Sequence, residues 1–269
     1  DTERLRIDSV QGTVMNLAGL PELPVPEGVD QRWWDSVPFE HLERNLGLVE
    51  ERFDTVIVDE AQDFSPRWLG TIEQLLADDG PQRVLMLCDP GQGVYERGFV
   101  LPEPGPDLVR ADLAVNCRNS HAVASLLTQF GGARTAPGAP EGTPVTLIAV
   151  ESGLKAVEEA QGAVRHLLED QMIDPSNVLV LTGHREMRDQ IRNGTPDGTF
   201  VPWEERQSGA VICETIHRSK GLERDAVVVV TEDKDLPDHL LYVGLSRAVS
   251  HLAVVAPQEL LDRIVERHE

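Results

Sequence analysis

Short runs of aliphatic and β-branched residues alternate with segments of helical pattern through most of this 269-residue chain. Apolar runs of about four to eight residues, bounded by turn residues, are typical of strands that are buried on both faces of a parallel sheet. The alternation of such strands with helices therefore predicts an α/β fold with mostly parallel sheets covered by helices.

The pattern places each element approximately. The predicted strands lie at residues 55–58, within 83–90, and at 111–116, 144–150, 177–182, 209–214, 226–231 and 251–255. The predicted helices lie at residues 66–76, 120–130, 153–170, 185–192, 238–249 and 257–267. Residues 17–50 contain four prolines and are expected to be irregular. Trp33 and Trp34 in that stretch are expected to anchor a core.

Chain length suggests about two domains. The stretch LPEPGPD, residues 101–107, is the best linker candidate because it is rich in Pro and Gly. We therefore place a first, partial α/β domain at residues 1–105 and a second, fuller one at residues 106–269.

Composition excludes several classes of protein. The net charge of −22 argues against a basic surface over the whole molecule but leaves room for a local basic groove. No apolar run approaches the roughly 20 residues that span a bilayer, and the polar start DTER is unlike a secretory signal. We expect a cytoplasmic protein with no membrane partner. Cys88, Cys117 and Cys213 show neither metal nor disulfide spacing and are expected to be buried free thiols.

The segment FDTVIVDEAQDFS, residues 53–65, ends an apolar strand with two adjacent acids. Ligand sites of open α/β sheets lie beyond the carboxyl ends of the strands, so these acids are well placed to act on a nucleotide. A carboxylate such as Asp59 suits Mg²⁺, and Glu60 could orient or deprotonate an attacking water. Ser65-Pro66 is typical of an N-cap followed by the first residue of a helix. Taken alone, the segment could also be an acidic turn without chemistry.

A phosphate-binding loop of the G-x-x-x-x-G-K-[ST] type is absent from the sequence. Its lysine must follow a glycine, and none of the three lysines of the chain, Lys155, Lys220 and Lys234, does so. The sequence therefore contains acids that suit an ATPase site but not the loop that would hold the phosphates.

Four further segments fall where an α/β architecture places ligand-binding residues. They are CDPGQGVYERGF (88–99), NCRNS (116–120), ETIHRSKGLE (214–223) and LLYVGLSRAVSHLAVV (240–255). One by one, their polar residues could be ordinary turn or surface residues. Together with residues 53–65 they form an ordered set that independent chance does not explain.

The residues and the order of these segments resemble the motifs of superfamily 1 helicases of the UvrD/Rep type. VIVDEAQD resembles the Walker B motif of that family, CDPGQGVY its third motif and LAVNCRNS its fourth. TIHRSKGLE resembles the fifth motif and LLYVGLSRA the sixth. The resemblance implies that residues 1–105 are the second half of a RecA-like domain whose P-loop (Walker A) part is missing. It also implies a second RecA-like domain at residues 106–269, with little or no inserted accessory domain.

The resemblance further implies roles in ATP hydrolysis between the two domains. Asp59 would bind Mg²⁺, and Glu60 would activate water. Gln92 would sense the γ-phosphate, and Arg118 and Arg247 would reach it as arginine fingers. We therefore expect both arginines to face one cleft together with the acids. The remaining nucleotide contacts would come from Gln62, Gly221 and Glu223, the last of them to the ribose.

Other residues would face single-stranded DNA or a duplex junction, or couple it to the nucleotide: Tyr95, Thr215, His217 and Lys220. Three positions depart from the family pattern. Cys117 stands where the family usually has a tyrosine that stacks on adenine, and Arg97 lies near the position of a base-contacting aromatic residue. Gln11 replaces the histidine of an early DNA-contacting motif. We therefore expect limited base stacking.

Three kinds of protein fit these observations. The first is a fragment of an ATP-dependent DNA helicase or translocase, which supplies the Walker B acids, the arginine fingers and part of the DNA track. The second is a P-loop-less, helicase-like DNA-binding or scaffold subunit. The third is half of an enzyme completed by a partner chain. We favour the first because the chain is expected to begin inside a domain and lacks an initiator methionine, and we expect this chain alone to be inactive.

We expect this chain alone to bind single-stranded DNA weakly, because its net charge is −22 and aromatic positions of the family are replaced. Phosphate contacts release counterions, so the affinity should fall steeply as the salt concentration rises. A fluorescence titration of a labelled oligonucleotide at several salt concentrations measures both quantities. Tight binding that is insensitive to salt, or a strong sequence preference, would contradict this expectation.

Overall fold

The computed structural model describes residues 5–95, 97–195 and 198–266. The chain divides into two compact units, Asp1–Pro102 and Glu103–Glu269, which we call unit 1 and unit 2. All pairs of strands described below are parallel, and helices flank the sheets. The expected α/β fold class is thereby confirmed. The identification of the two units with RecA-like domains 1–105 and 106–269 stays a prediction.

Unit 1 is a small α/β unit. Its elements are α1 (Val10–Met15), α2 (Gln31–Asn45), β1 (Thr55–Val58), α3 (Pro66–Glu73) and β2 (Arg83–Met86). The two strands pair in register, with Thr55 opposite Arg83 and Val58 opposite Met86. Ser65 caps α3 by accepting a hydrogen bond from Trp68 N, as the Ser-Pro pair predicts.

The prediction of irregular structure for residues 17–50 is correct for residues 17–30 and wrong for the part that forms helix α2. Asp30 caps its first turn, and Pro38 lies inside the helix without ending it. The Phe39 ring stacks on Trp68 of α3 with ring centroids 4.5 Å apart. Burial of this apolar face outweighs the local cost of the proline.

The two tryptophans of α2 are also placed differently from the expectation. Trp33 and Trp34 are half-buried and contact each other edge to face, with centroids 4.9 Å apart. The core cluster of unit 1 instead contains Trp68, together with Phe39 and Leu42 of α2. Sequence pattern alone did not distinguish the buried tryptophan from the two at the edge.

The strands of unit 1 are not buried on both faces, contrary to the prediction. Ile57 is 61% exposed and Leu85 is 50% exposed. They are opposite each other in the register and therefore share one face of the sheet. Since a parallel sheet normally has both faces covered, this apolar face lacks a cover among the described residues.

Unit 2 is larger and contains most of the predicted alternation. Its elements are β3 (Val115–Asn116), α4 (His121–Thr128), β4 (Arg134–Thr135), β5 (Thr146–Ala149), α5 (Gly153–Glu169), β6 (Val178–Thr182), α6 (Arg185–Asn193), β7 (Phe200–Val201), β8 (Val211–Thr215), β9 (Arg224–Val230), α7 (Asp238–Leu245), β10 (Ala248–Ala256) and α8 (Gln258–Glu266). Among the described residues, six strands form one sheet in the order β5-β10-β9-β6-β8-β7, and β3 pairs with β4.

The middle of the six-stranded sheet is the core of unit 2. Val180, Cys213 and Val228 are fully buried on β6, β8 and β9. They belong to one apolar cluster with Ala160 of α5 and Ile191 of α6. Here the prediction of strands buried on both faces is correct, since every residue of β6 and β8 is buried.

Two boundaries in unit 2 differ from the sequence prediction. The helix expected at 238–249 ends at Leu245, and Ala248 begins β10 by pairing with Arg224 of β9. The strand expected at 111–116 is limited to Val115–Asn116. Helix α7 is shorter than predicted because the chain from Ala248 onward forms hydrogen bonds with β9, and a longer helix would not make these bonds.

Two other expectations concern the end of the chain and membranes. Helix α8 matches the predicted helix 257–267, except that Arg267 lies outside the described residues. None of the helices in the described ranges has the length and apolar character needed to cross a bilayer.

We expect Leu179→Ala to destabilise the protein by about 2–5 kcal/mol, because it removes buried methyl groups and leaves a cavity. Leu179 is fully buried between Ile212 of β8 and Val227 of β9. Leu154→Ala is the matched control, since Leu154 is 72% exposed and its truncation should cost about 0.5 kcal/mol or less. Urea unfolding followed by circular dichroism measures both variants. Equal midpoints for the two would contradict the assignment of the core.

Candidate functional site

In unit 1 the carboxyl ends of β1 and β2 lie side by side and are joined by a chain of hydrogen bonds. Gln62 Nε2 donates to Glu60 Oε2 at 2.5 Å, and Asp89 N donates to Gln62 Oε1 at 3.0 Å. Gln92 Nε2 then donates to Asp89 Oδ2 at 2.8 Å. The structure therefore brings together three predicted residues from two separate segments, Glu60 and Gln62 from the first and Gln92 from the second.

Asp89 was not among the predicted site residues, although it lies at the centre of this chain. Its second carboxylate oxygen accepts a hydrogen bond from Gly91 N at 3.0 Å. The available signal was an acid at the end of a strand, which is the same signal that singled out Asp59. Asp89 fixes the turn that presents Gln92.

Glu60 has an unusual backbone conformation. Its φ of 52° lies in the left-handed region, which non-glycine residues rarely adopt. Its N–H donates to Asp59 Oδ1 at 2.9 Å, and its carbonyl accepts from Asp63 N at 2.9 Å. These contacts with Asp59 and Asp63 hold Glu60 in a conformation that is otherwise unfavourable.

The carboxylate of Asp59 is exposed at the end of β1. Within the described residues, no group of three or more His, Cys, Asp or Glu side chains could hold a metal by itself. Mg²⁺ is usually bound by one or two carboxylates together with substrate phosphates and water. The donor chemistry of Asp59 therefore fits a magnesium ion that arrives with a phosphate ligand.

Tyr95, predicted to contact DNA, is 41% exposed and lies beside Arg97. The Arg97 guanidinium lies 4.3 Å from the Tyr95 ring centroid and 4.5 Å from that of Trp68. It also donates to Asp35 Oδ1 at 2.9 Å. Arg97 therefore supports Tyr95 from within unit 1, next to a cavity of about 270 Å³ that Gln62 also lines.

In unit 2 the turn that carries Arg118 is tied to the turn that carries Arg247. Asn119 is buried, and its Nδ2 donates to Ser246 O at 3.3 Å and to Ala248 O at 2.5 Å. The two predicted arginines are thus held in adjacent loops. Asn119 was not predicted as a functional residue, and its only signal was its place in the segment NCRNS.

Arg118 forms an ion pair with Glu223, with Nε 2.9 Å from Oε2. Both side chains are about half exposed, at 51% and 54%. Exposed ion pairs contribute only about 0–1 kcal/mol. Arg118 can therefore exchange Glu223 for another anion at little cost, while Asn116 Oδ1 continues to hold its backbone N–H at 3.1 Å.

Arg247 has a different environment, because only 2% of it is exposed. It lies in the turn between α7 and β10 rather than on the predicted helix. Its Nε donates to Val243 O at 3.0 Å, Nη1 to Leu222 O at 3.4 Å and Nη2 to Ser246 Oγ at 2.8 Å. In this conformation Arg247 supports the loop before Glu223 from the inside. That Arg247 and Arg118 face Asp59, Glu60 and Gln92 stays a prediction.

The loop after β8 carries the other residues predicted for this unit. Thr215 is buried at the end of the strand, His217 is exposed and Lys220 is half-buried. Gly221 has a φ of +74°, a left-handed conformation that glycine adopts without strain. The loop therefore presents His217, while Gly221 turns the chain toward Glu223.

The pKa of His217 is lowered from its usual value of 6.5, first by partial burial of the ring and then by His239, His184 and Arg185. Burial and nearby positive charge both disfavour the imidazolium form. This environment favours the neutral imidazole of His217, which can take part in hydrogen bonds.

Glu214, next to Thr215, is a fully buried acid. Its Oε1 accepts from Arg192 Nη2 at 2.8 Å and from Trp203 N at 3.2 Å, and lies 3.3 Å from Arg218 Nη1. The available sequence signal was an acid inside the apolar strand VICET. Since removing one partner of a buried charge is costly, Glu214 fixes the positions of the groups around it.

The three cysteines are free thiols, but they are not all buried as expected. Cys213 is buried, Cys88 is half-buried and Cys117 is exposed beside Arg118. Burial raises the pKa of the Cys213 thiol to about 12. The position that the family pattern assigns to a stacking tyrosine is therefore occupied by an accessible thiol.

Comparison with known proteins identifies part of unit 2. Residues 210–255 match the sequence model of the UvrD-like helicase C-terminal domain. This segment includes the loop with His217 and Lys220, and the turn with Arg247. The predicted resemblance to the C-terminal part of UvrD-type helicases is thus confirmed over these residues.

Comparisons with solved structures and with curated sequences add little to this match. The C-terminal domain of a possible DNA helicase from Lactobacillus plantarum WCFS1 aligns with a TM-score of 0.41 and 18% identity. The alignment covers 53% of this chain and 91% of that chain. No curated protein matches the sequence.

We expect iodoacetamide at pH 8 to modify Cys117 rapidly and Cys213 only after unfolding. Alkylation requires an accessible thiolate, and Cys213 is both buried and held in its thiol form. Mass spectrometry of tryptic peptides over a time course measures each site, and a urea-unfolded sample is the control. Equal modification rates in the folded protein would contradict the described environments.

Proposed function

We propose that this chain is the C-terminal part of an ATP-dependent DNA helicase or translocase of the UvrD type, acting in the cytoplasm. The observation that supports this most is the match of residues 210–255 to the UvrD-like helicase C-terminal domain. The loops of this matched segment carry Arg247 and Glu223. Hydrogen bonds from Asn119 and Arg247 hold these loops beside the Arg118–Glu223 ion pair. Since one fold can serve many functions, the proposal depends on these residues and not on the sheet.

In this proposal unit 1 acts on the attacking water. Asp59 would hold Mg²⁺ together with the phosphates of ATP, and the ion would neutralise their charge. Glu60 would orient the water and accept its proton. Gln92 would sense the γ-phosphate, and its hydrogen-bonded link through Asp89 and Gln62 would relay its position to Glu60.

Unit 2 would respond to the nucleotide through the Arg118–Glu223 pair. Arg118 would leave Glu223 for the γ-phosphate, where its guanidinium stabilises the charge of the transition state. The released Glu223 carboxylate would accept a hydrogen bond from the ribose, and Gly221 would allow the backbone to approach. Arg247 would act as a second finger only after it leaves the carbonyl groups of Val243 and Leu222.

The phosphate-holding loop would come from an upstream P-loop half of the same protein or from a partner chain. The uncovered apolar face of β1 and β2, with Ile57 and Leu85, suits such a half. A two-stranded sheet is marginal in water, so further strands and a covering helix would stabilise it. DNA would then cross the loop after β8, where His217 and Lys220 lie.

A second candidate is a helicase-like DNA-binding or scaffold subunit that hydrolyses no ATP. The observation that favours it is that no Gly-Lys pair occurs in the sequence. In this case the Arg118–Glu223 pair would be a permanent surface contact, and the strained Glu60 would have no catalytic role.

DNA-stimulated phosphate release distinguishes these candidates. We expect no turnover from residues 1–269 alone and robust turnover once an upstream P-loop half is joined to them. In the longer protein, Glu60→Gln should retain nucleotide binding and lose hydrolysis by about 10²–10⁴-fold, because it keeps the shape but removes the base. Arg118→Ala should slow hydrolysis by about 10³-fold or more.

Arg165→Ala is the control for Arg118→Ala, since Arg165 is an exposed arginine on α5. It should leave turnover unchanged. Robust ATPase activity of residues 1–269 alone, or full activity of the longer Glu60→Gln variant, would overturn the proposed roles. A longer protein that binds DNA without turnover would favour the scaffold subunit.

A further inference from the structure

The carboxyl edge of the six-stranded sheet carries charges of both signs. The loops after β5 and β9 carry acids, among them Glu151, Glu232 and Asp233. The loops after β6, β8 and β7, which are neighbours in the sheet, carry arginine and tryptophan side chains, and the loop after β7 also carries Glu204 and Glu205. The arginines of this edge therefore lie on the β6–β8–β7 side, where a polyanion can contact them.

Trp203 follows edge strand β7 and lies at one end of the β6–β8–β7 side. Its side chain is half-buried and is not part of the core cluster of the sheet. The Arg206 guanidinium lies over the ring, 4.5 Å from the indole centroid, and that of Arg224, the first residue of β9, lies 6.0 Å away. A base would stack on the indole by replacing the Arg206 guanidinium or by using the opposite face, with positive charge nearby in both cases.

The two arginines are not neutralised by acids in the way their neighbours are. Arg218 pairs with Glu204 and Glu214. Within the described residues, the polar contacts of Arg206 and Arg224 are instead to backbone carbonyls, at 3.3 Å to Trp203 O and at 2.7 Å to Glu223 O. Their charge is therefore available to an anion.

Trp203 is also fixed to the loop after β8. The buried carboxylate of Glu214 accepts the Trp203 N–H at 3.2 Å and lies 3.3 Å from Arg218, which follows His217. One carboxyl group thus contacts both the backbone of Trp203 and the loop that carries His217.

We propose that Trp203 is a stacking platform for a base of single-stranded nucleic acid, with Arg206 and Arg224 contacting the adjacent phosphates. This inference rests on the proposed function, because it extends the DNA track beyond His217 and Lys220. It also supplies an aromatic surface in a chain that has Cys117 and Arg97 near two expected aromatic positions. Stacking on the indole is tolerant of sequence, so the platform suits translocation along any strand.

Titration of a fluorescent oligo-dT at low salt tests the platform with the 269-residue chain. We expect Trp203→Ala to weaken binding by about fivefold to a hundredfold, and Trp203→Phe to retain most of the affinity because it keeps an aromatic face. Arg206→Gln should reduce the slope of affinity against salt by about one phosphate contact. Arg165→Gln, which makes the same charge change on exposed α5, should alter neither quantity.

A photocrosslinking experiment keeps the test independent of any variant that fails to fold. An oligonucleotide with 5-iodouracil should crosslink to the Trp203 peptide of the unaltered protein. Crosslinks confined to other peptides, or a folded Trp203→Ala variant whose affinity is within twofold of the parent, would overturn the platform while leaving the proposed function standing. If the unaltered chain binds no oligonucleotide even at low salt, the proposed DNA track falls and this inference falls with it.

Discussion

Parallel strand pairing is the constraint on which the rest of each unit depends. Parallel strands bring all their carboxyl ends to one edge, so loops far apart in sequence become neighbours. In unit 1 this places Glu60 and Gln92 within one hydrogen-bonded chain. In unit 2 it places the loops after β6, β7 and β8 along one edge. The candidate sites therefore depend first on strand direction, which decides which loops are neighbours, and then on the side chains of those loops.

Buried polar groups then fix the loops that the strands bring together. Asn119 joins two turns through backbone carbonyls, and Arg247 holds the loop before Glu223 in the same way. Glu214 holds its neighbours by accepting hydrogen bonds from the Arg192 guanidinium and from the backbone N–H of Trp203. Such groups are costly to bury unless they are partnered, so each specifies one arrangement of its loops. The exposed Arg118–Glu223 pair is the contrasting case, because it can be exchanged.

Much of the fold could be predicted from the sequence, since strands buried on both faces leave a strong local pattern. The run at 178–182 is an example, and so is the Ser65-Pro66 start of α3. The failures have a common cause. Helix α2 forms despite Pro38 because its Phe39 packs against Trp68. The predicted helix 238–249 ends early because Ala248 pairs with Arg224 of β9. In both cases contacts with residues distant in sequence stabilise the observed conformation.

Within the candidate site, the residues and order of the five segments indicated a helicase from the sequence alone, and residues 210–255, which contain two of them, match the model of the UvrD-like helicase C-terminal domain. The sequence also determined the α/β class, the acids after β1 and the absence of a phosphate-binding loop. Tertiary structure decided which side chains are accessible: Arg118 is half exposed while Arg247 is buried. It also revealed Asn119 and Glu214. The physical reason is that chemical type and spacing are local properties of the chain, whereas burial and hydrogen-bond partners depend on residues more than a hundred positions away, as with Asn119 and Ala248.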